Sequence, residues 1–314
     1  MKTKFNKPRV RSGLRRLAAV AFTLIEIMVA MALLTVIVIG LMAMFSQTQR
    51  AFRAGMAQTD QLEGGRMLSD LIYQDLRQIT PTMQTNGVNF FAQIPNYAPA
   101  QEVLPGGSNI LRTNIFQDIF FTKRQNQTWS GVGYFVRTNA SYYATVAPVG
   151  TLYRFEKDVH DADFTGTNVY GTFLSFLNAT NNPNSTDLPT LSKLLDGVVE
   201  FHVRCYDKYG NWITNVDRIS TNAQAFITIT NGADVGSTIA PSDVLFYGFS
   251  NNLVPAYVEL EVGVLEPAVL RRLQSIPSAI TQSNFLANHA GNIQMFRQRV
   301  AIRNADPSTF PSQP

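Results

Sequence analysis

Phe22-Thr-Leu-Ile-Glu-Ile-Met-Val-Ala-Met-Ala-Leu-Leu-Thr-Val-Ile-Val-Ile-Gly-Leu-Met-Ala-Met-Phe45 is an apolar run broken only by Thr23, Glu26 and Thr35. As a helix rising ~1.5 Å per residue it would be roughly 36 Å long, enough to cross a bilayer core of about 30 Å with some tilt. The residue that does not suit a plain anchor is Glu26. A carboxylate costs about 2.5–3.5 kcal/mol when held at the centre of a bilayer.

The chain's charge is distributed around this run. Its net charge is +4, yet Lys2, Lys4, Lys7, Arg9, Arg11, Arg15 and Arg16 all precede Phe22 with no acid among them. Removing those 7 from the chain's 26 basic residues leaves 19 against 22 acidic ones, so the rest of the chain is acidic. A basic segment directly before an apolar helix places the N-terminus in the cytoplasm and the chain beyond residue 45 on the other side. The single cysteine, Cys205, allows no intramolecular disulfide, so an exported domain must rest on its core.

A secretory signal peptide has its apolar region ahead of the cleavage site. Ala19-Val20-Ala21 fits the small-residue pattern, but only residues 17–20 form an apolar stretch before it. The apolar segment follows the candidate site instead.

That inversion, with Ala21-Phe22-Thr23-Leu24-Ile25-Glu26, resembles the prepilin signal of type IV pilins and type II secretion pseudopilins. The resemblance implies a basic leader (1–21), cleavage by prepilin peptidase between Ala21 and Phe22, N-methylation of Phe22, and an assembly helix over 22–80 whose first part (22–45) is transmembrane. It also implies that Glu26 pairs with the new N-terminal amine of a neighbouring subunit. The family usually has Gly where this chain has Ala21. The plainer alternative for Glu26 is a carboxylate that snorkels to the cytoplasmic interface of an uncleaved anchor.

From residue 46 to 80, apolar residues at spacings of three and four predict an amphipathic helix that Pro81 ends. Gly55 and the pair Gly64-Gly65 predict a bend or break. Residues 82–114 read as a long loop, with further loop sequence around 163–190 and 214–252. Strands are expected over 115–122, 131–137, 151–155, 197–206, 223–230, 244–249, 257–265 and 293–302. In two of them Val199, Phe201, Val203 and Cys205, and Val258, Leu260, Val262 and Val264, form apolar faces. Glu200, His202, Arg204 and Tyr206, and Tyr257, Glu259 and Glu261, then face away, as in half-buried antiparallel strands. A short helix is expected over 267–276, and the shifted apolar parity of the last strand fits a bulge or an edge position. The fold class is α+β: a long N-terminal helix packed on an antiparallel sheet domain (81–314), pilin-like by the resemblance.

Within that domain Asp70-Leu-Ile-Tyr-Gln-Asp-Leu-Arg77, Gly133-Tyr-Phe-Val136, Leu152-Tyr-Arg154, Leu195-Asp-Gly-Val-Val-Glu-Phe201 with the Gly-Asn-Trp turn, and Val254-Pro-Ala-Tyr-Val-Glu-Leu260 resemble the J class of minor pseudopilins. Their order along the chain carries the likeness. Its implied partners are other minor and major pseudopilins or pilins, prepilin peptidase, inner-membrane lipid and secreted protein substrates. Its implied role is at the tip of a type II secretion pseudopilus, priming assembly and export. The alternatives are a minor pilin of a type IV pilus, and a membrane-anchored periplasmic binding module that does not assemble.

Catalytic signatures are absent: there is no G-x-S-x-G, phosphate-binding loop, H-E-x-x-H or paired-Cys motif, and no cofactor is expected. His202 and Cys205 lie on opposite faces of one strand and cannot act together. Asp158, His160, Asp161 and Asp163 form the densest set of metal-ligand types, but lack the turn Gly and distal Glu of a calcium loop. Lys and Arg beyond residue 45 are scattered, so no nucleic-acid footprint is present.

Overall fold

The computed structural model describes residues 23–84, 87–94, 104–106, 110–112, 115–138, 149–178, 191–214, 225–229 and 244–310. They divide into two compact units that meet in sequence at Gly55 and Met56. The boundary falls inside one element, because helix α1 runs without interruption over Leu24–Leu76, 53 residues. The expected break at Gly64-Gly65 does not occur. Gly65 serves instead as a close-approach point: a Cβ there would lie 2.1 Å from Cζ of Phe296. The ring needs the space that a side chain would fill.

In the first unit the helix is apolar and open. Every large apolar side chain described from Leu24 to Phe45 is exposed, and Leu24–Arg53 is long and apolar enough to cross a membrane.

The second unit is built on a nine-stranded sheet whose named strands pair antiparallel throughout. Its strands are β1 (Val88–Gln93), β4 (Asp118–Gln125), β5 (Thr128–Thr138), β6 (Gly150–His160), β7 (Leu191–Tyr206), β8 (Ala225–Ile229), β9 (Val244–Ser250), β10 (Tyr257–Leu265) and β11 (Ile293–Ala301). Their order is β11-β10-β7-β6-β5-β4-β1-β9-β8, and a separate hairpin joins β2 (Leu104–Gly106) to β3 (Ile110–Arg112). The α+β expectation holds at that level. The edge reading of the last strand is also the observed one, since β11 closes one side of the sheet and pairs with β10 without a register shift.

Two apolar layers cover the two faces. On one, Leu68, Ile72 and Leu76 of α1 pack with Phe90, Ile119, Phe121, Phe201, Val203, Cys205 and Val258. On the other lies α2 (Asn168–Asn178), whose Val169, Phe173 and Leu177 repeat every four residues and meet Phe91, Phe120, Trp129, Phe135 and Phe155. The pairs Phe90-Phe91 and Phe120-Phe121 thus split between the faces, as consecutive strand residues must. Helices α3 (Pro267–Gln274) and α4 (Ala279–Asn288) contribute Val269, Leu273 and Leu286 to a third cluster with Val199 and Leu265.

Two loop expectations are overturned. Residues 82–114 contain β1, which pairs with both β4 and β9, and residues 163–190 contain α2. Composition misled in both places: Asn, Gln and Gly around a short apolar core read as turns, whereas long-range pairing and aromatic packing decide the local conformation. Close packing of α2 supports a prediction. A Cβ at Gly133 would come within 2.3 Å of Phe173 Cε2, so Gly133→Ala is expected to cost about 1–3 kcal/mol through overpacking. Urea unfolding measures it.

The polar face of β7 and β10 also differs from expectation. Glu200, His202, Glu259 and Glu261 do face away from the α1 core, yet all four are buried. The Ile115 N–H donates to Glu200 Oε2 at 3.0 Å, from a segment bridged to β7 at Phe116 and Phe201. Arg204, Arg297 and Arg299 enclose Glu259, and Arg204 also reaches Glu261. The carboxylates are thus buried beneath arginines, of which Arg297 and Arg299 keep exposed side chains.

Candidate functional site

The features that bear on function are the start of α1 and the point where its other half joins the sheet. At the start, Thr23 and Glu26 form a reciprocal cap. The Thr23 N–H and hydroxyl donate to Glu26 Oε2 at 2.9 and 3.0 Å, and the Glu26 N–H donates to Thr23 Oγ1 at 3.3 Å. This is the capping box, in which two of the free N–H groups at a helix start are satisfied. The Thr-x-x-Glu spacing announces it in sequence, and the membrane reading of Glu26 passed over it. Ala21, Phe22 and the leader lie outside the described residues.

The second place is Asp75, which sequence reasoning missed. The signal was available: Asp75 falls within the stripe Leu68, Ile72, Leu76, Ile79, where a helix that buries one face has no use for an unpaired carboxylate. In the structure Asp75 is buried against three strands. Its Oδ2 accepts from the Tyr134 hydroxyl at 2.5 Å and from Arg154 Nε at 2.8 Å, and its Oδ1 pairs with Lys123 Nζ at 3.3 Å. Glu156 closes the network, 2.7 Å from Lys123 and 2.5 Å from Arg154.

Burial raises the Tyr134 hydroxyl, and the neighbouring Asp75 carboxylate raises it further, so it remains a donor. For Glu156, burial pushes upward, but hydrogen bonds and charge from Arg154 and Lys123 outweigh it and hold the carboxyl below its ordinary range. The network joins three of the stretches quoted from the sequence, 70–77, 133–136 and 152–154.

Elsewhere in the sheet unit, side-chain hydrogen bonds tie the Gly-Asn-Trp turn to β9 and β7 to β10. The Trp212 indole donates to the Tyr247 hydroxyl at 2.8 Å, and the Tyr206 hydroxyl to Glu259 at 3.1 Å. Burial raises Glu259, but hydrogen bonds from Arg297 and Tyr206 and the charges of Arg297 and Arg299 carry its pKa below the usual range.

In the acidic set at 158–163, Asp161 and His160 are committed to local structure. Asp161 accepts from the Trp129 indole at 2.6 Å and from Arg124 at 2.9 Å, and His160 Nδ1 caps a single 3₁₀ turn by accepting from the Ala162 N–H at 3.4 Å. Among the described residues no three His, Cys, Asp or Glu side chains converge to hold a metal. Cys205 is buried, and burial pushes its thiol well up, away from the reactive thiolate.

Asp118 is the odd carboxyl of the sheet. Desolvation raises it to about 6, although Arg137, 3.8 Å away, and Gln93 oppose the shift. Its folded pKa lies above the unfolded value, so the native state binds the extra proton between about pH 4 and 6. Stability contributed by that proton is present below pH 4 and is lost as pH rises through 6. Asp118→Asn is therefore expected to raise stability at pH 7 by roughly 1–3 kcal/mol and to leave it nearly unchanged at pH 4, in urea titrations at both pH values.

Comparison with protein-family models, curated proteins and solved structures gives no match.

Proposed function

We propose that this chain is a structural subunit of a type IV pilin-like filament, most like a minor pseudopilin at the tip of a type II secretion pseudopilus. The observation that carries the reading is the single 53-residue helix. Its first half is exposed and apolar with one acid at the start, and its second half is keyed by Asp75 into a sheet domain. The element that would sit in lipid or in a filament core is thus continuous with the one that positions the globular domain. A prepilin-like signal precedes it.

In this reading prepilin peptidase cuts before Phe22 and the helix holds the subunit in the inner membrane, with the sheet domain in the periplasm. Glu26 then meets a neighbour's amine as subunits gather, and helix packing replaces lipid contact. The sheet domain binds other minor subunits and meets secreted proteins.

A photo-crosslinking residue at Met42, which is exposed, tests the assembly step in cells. Adducts with other single-helix proteins that carry a prepilin-type leader are expected. Lipid adducts alone would favour the anchored module.

A further inference from the structure

β11 ends the sheet, and its register decides which backbone groups remain open. The Ile302 N–H donates to Ala256 O at 2.9 Å and the Glu266 N–H to Asn292 O at 3.0 Å. Pairing is unbroken from Tyr257 opposite Ala301 to Leu265 opposite Ile293. Hydrogen-bonded pairs alternate in an antiparallel ladder, so the even-numbered residues of β11 bond β10. The N–H and C=O groups of Ile293, Met295, Arg297, Arg299 and Ala301 therefore point away from the sheet.

Charged side chains normally guard such an edge. Here they are drawn back over the sheet. Arg297 reaches Glu259 Oε1 at 2.5 Å, and Arg299 donates to Glu259 Oε2 from Nε at 3.2 Å and from a terminal nitrogen at 3.1 Å while lying 3.7 Å from the Tyr206 ring centroid. With Arg204, three guanidiniums cluster around the carboxylates of Glu259 and Glu261, and Glu200 lies farther along the same face opposite Gly263; Arg297 and Arg299, on the edge strand itself, keep exposed side chains. The opposite face along the same strand is apolar at Phe296 and Val300.

We propose that this edge receives an antiparallel strand from a different protein, in which carboxylates alternate with aliphatic residues. β10 shows from the other side what β11 accepts: Val258, Leu260 and Val262 lie on the core face, and Glu259 and Glu261 on the arginine face. A second copy of β11 suits the edge poorly, since pairing it about its middle sets Arg297 opposite Arg297, and like charges directly opposite repel. The proposal depends on the sheet unit alone and goes beyond the filament reading, so either can fail without the other.

The test uses the full chain in detergent micelles and two labelled peptides, acetyl-Val-Glu-Val-Glu-Val-Glu-Val-amide and its counterpart with Lys in place of Glu. Anisotropy is expected to show the acidic peptide binding at least about tenfold tighter, with hydrogen exchange slowed at the Arg297 and Arg299 amides. Met295→Pro removes one outward N–H and no bond to β10, and is expected to weaken binding by roughly tenfold with the melting curve unchanged. Equal binding of the two peptides, unaltered exchange at Arg297 and Arg299 on addition of the acidic one, or native affinity in Met295→Pro overturns the proposal.

Discussion

Asp75→Ala is expected to destabilise the sheet unit by about 3–5 kcal/mol, a large share of the total stability of an ordinary domain. The substitution takes the acceptor from Tyr134 and Arg154 and one carboxylate from Lys123, leaving two cations and a hydroxyl at a buried site. The cost comes from the groups left behind more than from the bonds lost. Asp75→Asn keeps an acceptor oxygen and is expected to cost less. Trp129 and Trp212 both belong to the sheet unit, so tryptophan fluorescence in urea follows its unfolding. A loss under about 1 kcal/mol for Asp75→Ala would show that the network is not what keys the helix to the strands.

The contrast between Asp75 and the strands shows what was legible in the sequence. β10 and the second half of β7 could be read from alternation because the α1 core reaches Phe201, Val203, Cys205 and their partners on β10, whereas Val199, expected on that face, packs with α3 and α4 beside a register shift. β1 could not, because residues 89–92 are buried from both faces and the strand is paired on both sides, which erases any alternation. α2 was hidden by the polar residues around its apolar repeat of Val169, Phe173 and Leu177. The ionic layer around Glu259 was legible as a face but not as a buried one. Its enclosure depends on arginines from a strand thirty-odd residues later, and no local pattern reports that. At the start of α1 the reverse holds: Thr-x-x-Glu is a purely local motif, and the capping box follows from it.

That capping box bears on the second large effect. Glu26→Ala removes both the cap and the charge, whereas Glu26→Gln keeps a side-chain oxygen that can accept from Thr23 while losing the charge. If Glu26 neutralises a neighbour's amine during assembly, both variants are expected to be processed normally and to fall by about tenfold or more in co-purification with partner subunits. Normal incorporation of Glu26→Gln alongside failure of Glu26→Ala would assign the residue to helix capping instead. The two substitutions separate roles that the wild-type carboxylate combines.

Both assembly predictions presuppose a free amine at Phe22. Intact-mass and N-terminal peptide mass spectrometry of the full chain, from cells with and without prepilin peptidase, tests that directly. The filament account predicts a chain that begins at N-methylated Phe22 only when the peptidase is present, with Ala21 retained on the precursor when it is absent. Recovery of the uncleaved leader in both strains would contradict it.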